Sequence, residues 1–527
     1  MNSSPDVQEA QSELTAQQRH GRDVWLNSTF GGEKFFSLIL PGPPFNLTLG
    51  LVQALTSPRD TRFDNWGLLN DPDCVAGNAM TFGFDICADP SSSGVVGVRK
   101  FANPDFQPGN GQPPILLGVA CASCHAGLNP ENPPTDPNHP GWDNIHLTVG
   151  NQFIQIGKIF GANLSPHDPR FQVFRTWAPG TVDTTAIEND HINNPGIITQ
   201  FFRFPDRPFF NLTQNGAPIT VHRAGQGGED DAGCVKAATR VYFNIGMCAA
   251  ECMVGHLANG PGGSQTPIDE AQCARDCADF RQEQVDAVDL CAFIQTTRPP
   301  HLRRAPGGDD LIDESVVDRG RRVFDAACAA CHSNGEDPVH QVYSDDLIHP
   351  ATGFNPFIGE PANSVGTNAC RARTTNWMAG HIWAAFSSDQ YKGRPTGGPG
   401  FYRDVPLLAI WATAPFMHNN RMGTYTGDFT VAGRVAAFED AFDQLMNPWR
   451  RDFLGSIQRI TDFTVIPTPF GNVTLPPGVP VVAFSNLDPQ NPFNNLCPEF
   501  VENGGHYFGV ALPEADKYWL REYLKTL

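Results

Sequence analysis

The stretch GVACASCHAG, residues 118–127, sets Cys121 and Cys124 three positions apart, with His125 directly behind the second thiol. Covalent attachment of a c-type haem uses this geometry. Two thiols form thioethers with the vinyl groups on one porphyrin edge, and the imidazole reaches the iron from the proximal side. A lone CxxCH would also suit half a zinc site, or a redox CxxC that happens to precede a histidine. The second copy, Cys328, Cys331 and His332 in RGRRVFDAACAACHSNG, decides between these readings. Zinc would need a further CxxC or HxxxH pair at short range, and neither stretch supplies one. The motifs therefore predict two covalently bound haem c groups, held by Cys121, Cys124, Cys328 and Cys331, with His125 and His332 as proximal ligands.

The elements that must position these groups are clearest around the second motif. Gly320, Phe324 and Cys328 recur at i, i+4 and i+8, so one face of a helix runs straight into the cysteines. In cytochrome c folds this first helix crosses the last, and a glycine permits the close approach. A closing helix is present in LPEADKYWLREYLKTL. Pro513, Glu514 and Asp516 suit its first turn, Lys525 its last, and Tyr518 or Trp519, Leu520, Tyr523, Leu524 and Leu527 its buried stripe. The first motif is entered through QPPILLGVACASCH, where proline and a short apolar run replace a leading helix. That helix is expected upstream at 21–30, where Gly21 and Trp25 have helical spacing.

The predicted fold is mainly α, with two cytochrome c-like haem domains, long loop-rich insertions and little β structure. The N-terminal domain is placed at 20–300 and the C-terminal domain at 316–527. A linker at 301–315 lies between them, where TTRPPHLRRAPGGDD (296–310) is rich in proline, glycine and charge. Within the first domain, at about 240–285, CAAEC (248–252) and CARDC (273–277) each put two cysteines on one helical face. Two such helices in antiparallel array would be stapled by Cys248–Cys277 and Cys252–Cys273, with a metal site as the rival arrangement. Cys74 and Cys87 are expected to form another bridge. The pairing of Cys234, Cys291, Cys370 and Cys497 does not follow from spacing.

Composition limits the partners. A net charge of −20 without a basic patch argues against nucleic acid and against an anionic membrane surface. No transmembrane helix is predicted: the best apolar candidate, FFSLILPGPPFNLTLGLVQAL, is interrupted by PGPP. The polar start of the chain lacks the features of a signal peptide, yet haem attachment takes place outside the bacterial cytoplasm. The expectation is therefore a periplasmic or secreted protein whose signal is absent from this chain. Of fourteen cysteines, four for haem leave ten, an even number that suits disulfides in an oxidising compartment.

Two CxxCH motifs in this frame resemble the dihaem cytochrome c peroxidase superfamily, and more closely its branch of rubber oxygenases. The resemblance rests on TRVYFNIG (239–246), TTNWMAGHIWAAFSS (374–388), LLAIWATAPFMHNN (407–420), NGGHYFG (503–509) and the closing LREYLKTL. It covers about 115 to 527; the twin CxxxC hairpin and the long N-terminal insertion depart from it. The resemblance implies a reactive haem on His125 with an open or openable sixth position. The haem on His332 would then be a six-coordinate electron relay. The similar segment of that branch makes His506 the distal ligand of the second haem, with His418 as the alternative and Met417 and Met422 as thioether candidates.

For the first haem the best nearby histidine is His191, more readily a loop residue than a ligand. Phe201, Phe202, Phe204 and Phe243 could line an apolar pocket there, although core packing is their default role. Trp177, Trp377, Trp383 and Trp411 could relay electrons, and Arg371, Arg373 and Lys392 could pair with haem propionates. Packing is the expected role of His381. The expected function is an exported haem-dependent oxidoreductase of peroxidase or dioxygenase type. It would act with a small oxidant, peroxide or dioxygen, and an unknown organic substrate or electron donor. The alternative is a dihaem electron-transfer cytochrome without its own catalytic site. Calcium between the domains is a further cofactor that this reading allows.

Overall fold

Two close helix crossings, each built on a glycine, organise the chain. The computed structural model describes residues 14–183, 210–214, 217–221, 234–253, 268–329, 332, 407–468, 470–485, 487–488, 491–495 and 501–527. Helix makes up most of their regular secondary structure. The helices that matter here are α1 (Ala16–Asn27), α2 (Ala122–His125), α3 (Cys234–Asn244), α4 (Glu270–Asp276), α5 (Ala278–Ile294), α6 (Val317–Ala327), α7 (Val431–Met446) and α8 (Glu514–Leu524). Strands among the described residues are short and pair only in twos, as antiparallel ladders such as Val98–Ala102 with Ile115–Val119.

Helix α1 starts at a capping box, in which Thr15 accepts from the Gln18 amide and the Gln18 side chain accepts from the Thr15 amide. Its buried stripe is Gly21, Val24 and Trp25. Gly21 meets α5 so closely that a Cβ there would lie 1.8 Å from the Asp289 carbonyl oxygen. The second crossing repeats this design. A Cβ on Gly320 of α6 would lie 2.0 Å from the Trp519 carbonyl oxygen of α8. Four residues after each glycine comes a buried aromatic that meets one from the crossing helix. Trp25 and Phe293 have centroids 6.5 Å apart, and Phe324 and Tyr523 5.4 Å. Because backbone oxygens in a helix cannot step aside, Gly320→Ala should separate α6 from α8. The expected loss is about 1–3 kcal/mol, or more if the axes cannot shift, read as a lower denaturant midpoint.

In α8 and the residues after it, Leu520, Tyr523, Leu524 and Leu527 are buried as the spacing predicts, whereas Tyr518 is 39 % exposed and donates to Asp313. The stapled hairpin has the expected bridges, Cys248–Cys277 and Cys252–Cys273, and Cys74–Cys87 forms as well. Its arms differ from two regular helices. Cys248 has a left-handed φ of 55°, and Ala249–Met253 forms a π-helical turn. On the other arm Cys277 ends α4 and caps α5, its sulfur accepting from the Phe280 amide. A further bridge, Cys234–Cys291, ties α3 to α5. Three of the four bridges thus fasten to α4, α5 or the cap between them, making this wall of the first half the most cross-linked part of the described chain. Each such link contributes on the order of 2–4 kcal/mol by restricting the unfolded chain.

The two halves are joined by specific contacts. Glu131 accepts from the His301 amide and from Arg304, and Trp411 donates to the Pro300 carbonyl at 3.2 Å. The 416–422 loop meets 176–181: Asn420 donates to the Pro179 carbonyl and Thr181 to the His418 carbonyl, both at 2.7 Å. Among the described residues, no helix is long and apolar enough to cross a membrane.

Candidate haem-attachment sites

The first motif folds as one helical turn. The His125 amide donates to the Cys121 carbonyl at 3.0 Å, so the first cysteine and the histidine stand one turn apart. This turn is held from several sides. Ser123 donates to the Ala120 carbonyl at 2.8 Å, and the Asn151 amide donates to the Cys124 carbonyl at 2.8 Å. Gly97, at φ 73°, lets a neighbouring loop touch it: a Cβ there would sit 2.1 Å from the Ser123 nitrogen. His125 is buried, and the Trp25 ring packs on it at 5.7 Å. That indole is fixed by a 2.7 Å hydrogen bond to the Leu147 carbonyl. Helix α1 therefore delivers Trp25 to the motif, and the Gly21 crossing sets how deep it sits.

The chemistry of the sulfurs discriminates between uses of the motif. Burial pushes the Cys121 thiol up to about 12, and burial raises Cys124 too. A zinc site or a redox CxxC needs thiolates stabilised by positive surroundings. Burial and the Glu283 carboxylate do the opposite at Cys121, offset only in part by the Tyr242 hydroxyl. A neutral thioether carries no charge to desolvate and fits this apolar, 6 %-exposed position. Neither Cys121, Cys124 nor Cys328 joins a disulfide. The one metal-like cluster among the described residues, Asp71, Cys74 and Cys87, contains the two sulfurs already bonded to each other.

The second motif leaves α6 with the same turn, the His332 amide donating to the Cys328 carbonyl at 2.9 Å. Cys331 lies outside the described residues. Facing His332 is His506, with ring centroids 6.3 Å apart and planes inclined by 37°. Two imidazoles on opposite sides of one metal ion, each nitrogen at about 2 Å, have centroids about 6 Å apart. His506 is held neutral: burial, together with the neighbouring His332 and Arg451, pushes it down to about 3. Its buried Nδ1 has no hydrogen-bond partner. A neutral, unsatisfied imidazole nitrogen is a ready ligand.

The loop that carries His506 is built to present it. Arg451 donates to the carbonyls of Gly504, Gln444 and Leu445, and Asn419 donates to the Glu502 carbonyl at 2.9 Å. Gly505 has φ 59°, and a Cβ there would come within 2.5 Å of the Met422 methyl carbon. Met422 is thus a fully buried packing partner of the loop. His418 lies in the seam loop, where its carbonyl accepts from the Thr181 hydroxyl.

Phe243 is in the core, stacked on Phe280 at 5.7 Å. Trp177 joins an aromatic group with Phe160 and Phe174, and Trp411 is buried beside Pro300. His191, Phe201, Phe202, Phe204, Arg371, Arg373, Trp377, His381, Trp383, Lys392, Cys370 and Cys497 lie outside the described residues. Sequence reasoning missed Tyr242 and Arg434. The latter had a readable signal, a lone arginine on the otherwise apolar stripe of Val431, Val435, Phe438 and Phe442. No protein-family model matches this chain, and no curated protein matches it.

Proposed function

We propose that this chain is an exported dihaem c-type oxidoreductase, akin to the dihaem cytochrome c peroxidase superfamily and its rubber oxygenase branch. Its first motif holds the reactive group and its second an electron relay. The observation that carries the reading is the pairing of His332 with His506 at 6.3 Å. The second motif would have a ligand for each side of an iron, whereas Trp25, whose ring packs on His125, is an indole that offers no lone pair for coordination. Haem bound at the two motifs would supply one-electron chemistry and reaction with peroxide or dioxygen. The residues of the chain do the rest. Cys121, Cys124, Cys328 and Cys331 would hold the haems through thioethers and His125 and His332 would be their histidine ligands, while Trp25 packs on His125 and shields it from water.

Four disulfides among the described residues support a periplasmic or secreted location, since such bonds persist in oxidising compartments. The test is ligand stoichiometry combined with resting-state EPR. Carbon monoxide added to the reduced protein should perturb one haem of the two. Peroxide added to the resting protein should change the signal of that same centre. If carbon monoxide perturbs neither haem, the chain is an electron-transfer cytochrome and the catalytic reading fails.

A further inference from the structure

Helix α7 belongs to the C-terminal half, yet its Arg434 reaches into the first site. The residue is 5 % exposed. Its Nη2 donates to the Leu128 carbonyl at 3.2 Å, its Nη1 to the Ala412 carbonyl at 2.8 Å and its Nε to the Phe429 carbonyl at 3.2 Å. The guanidinium also lies over the Phe153 ring, 5.2 Å from its centroid. Leu128 sits three residues after His125, and Leu128 and Phe153 share a buried cluster with Cys121 and Trp25. Ala412 lies on the other side of the seam, in the cluster that contains Phe324 and Trp411.

Every hydrogen-bond acceptor found for this cation is neutral. Among the described residues, no carboxylate lies within ion-pair distance of it. The nearest acidic influence is Asp428, an exposed residue whose carboxylate accepts from the Thr430 amide. Burial lowers Arg434 only to about 10, so it remains a cation at neutral pH. A guanidinium offers five N–H groups, and three nitrogens spent on carbonyls leave donors over. An uncompensated buried charge costs several kcal/mol. A site of this kind is complete only when an anion from beyond the described residues reaches it.

We propose that Arg434 is the counter-ion of a propionate of the haem attached at Cys121 and Cys124, supplied across the seam by the C-terminal half. The inference rests on the dihaem reading above. A planar fork suits a carboxylate, and the position, beside the strand that continues from the first motif, assigns it to the first haem rather than the second. Arg434 is accordingly a positioning residue. It ties the first haem to the helix that packs the second half, and its charge favours the reduced state of that haem.

The test uses the holoprotein with Arg434→Gln and Arg434→Lys, followed by redox titration and by resonance Raman of the propionate modes. In Arg434→Gln the first haem should become harder to reduce. At a fixed potential its ferrous-to-ferric ratio should fall about tenfold, equivalent to about 59 mV for one electron. The second haem should hold its potential, and Arg434→Lys should keep most of the wild-type value. Should Arg434→Gln not fold, Arg434→Lys decides the matter. A compact ammonium in place of the fork must move the propionate bands of one haem, and unmoved bands overturn the proposal. Equal shifts at both haems, or no shift with both haems present, also overturn it. A first-haem potential that follows chloride concentration while the propionate bands stay fixed would put a dissolved anion at Arg434 and overturn it. Wild-type protein without covalent haem removes the dihaem reading and this inference together, whereas two haems with an unmoved potential remove only the inference.

Discussion

Replacing Cys121 and Cys124 together by alanine should lower the mass of the denatured chain by one haem and leave the other haem attached. Thioether bonds survive denaturation and extraction, whereas a haem held only through His125 does not. The two motifs lie in separate buried clusters, on opposite sides of the seam, so loss at the first should leave attachment at Cys328 and Cys331 intact. Alanine is the better probe than serine, because a hydroxyl at the position of Cys121, 6 % exposed, would add a desolvation cost of about 1–3 kcal/mol unless it found a partner. Intact-mass measurement reads the result directly, and the red-region absorption of the reduced protein should fall by about half. An unchanged haem mass in this double variant would sink the assignment of the first motif. The matching pair, Cys328→Ala with Cys331→Ala, should give the complementary loss.

How much of this was legible depended on which interactions are local. The crossing at Gly320 could be read because glycine, aromatic and cysteine share one helical face that runs into the motif. Bridges Cys248–Cys277 and Cys252–Cys273 could be read because spacing of four fixes which sulfurs share a side. The last helix of the first half was hidden. Its buried face includes Glu283 and Asp286, which break the apolar stripe of α5. Glu283 is tolerated there because its neighbour Gln284 and, from across the fold, Thr239 donate to it, and the second partnership is invisible along the chain. The left-handed residue at Cys248 was hidden for a related reason. Spacing predicts which residues meet, not the backbone path that brings them together.

The repeat of a glycine crossing in both halves also explains why the motifs differ in their surroundings. Each crossing places an aromatic four residues beyond the glycine, Trp25 in one half and Phe324 in the other. In the second half the motif follows Phe324 directly on the same chain segment, and His332 is left to face the loop at 503–509. In the first half the helix and the motif are far apart in sequence, and Trp25 comes to His125 through space. Similar helical frames thus bring an indole to His125, whereas His332 meets a second histidine from a loop.

His506→Ala should convert the second site into an open one. In the wild-type protein the His332 and His506 rings stand 6.3 Å apart, which suits two imidazoles on one iron. Removal of one leaves a half-buried gap beside Phe508, whose ring is 5.8 Å from that of His506. A thioether beside this loop, Met422, touches Gly505 and could move into the gap, so the variant should be made both alone and with Met422→Ala. Resting-state EPR should then lose the low-spin signal of the second haem and gain a high-spin one. Carbon monoxide should bind both haems of the reduced protein rather than one, and added imidazole should restore the original spectrum by filling the gap. Thermal stability of the C-terminal half should fall by about 2–4 kcal/mol, from the lost ligand bond and the cavity together. His418→Ala should leave both the spin state and the carbon monoxide stoichiometry unchanged, because the ring that stands 6.3 Å from that of His332 is that of His506. If His418→Ala opens the second haem and His506→Ala does not, the ligand is wrongly assigned. The relay would then be built on the seam loop instead of on the glycine-flanked loop that Arg451 holds in place.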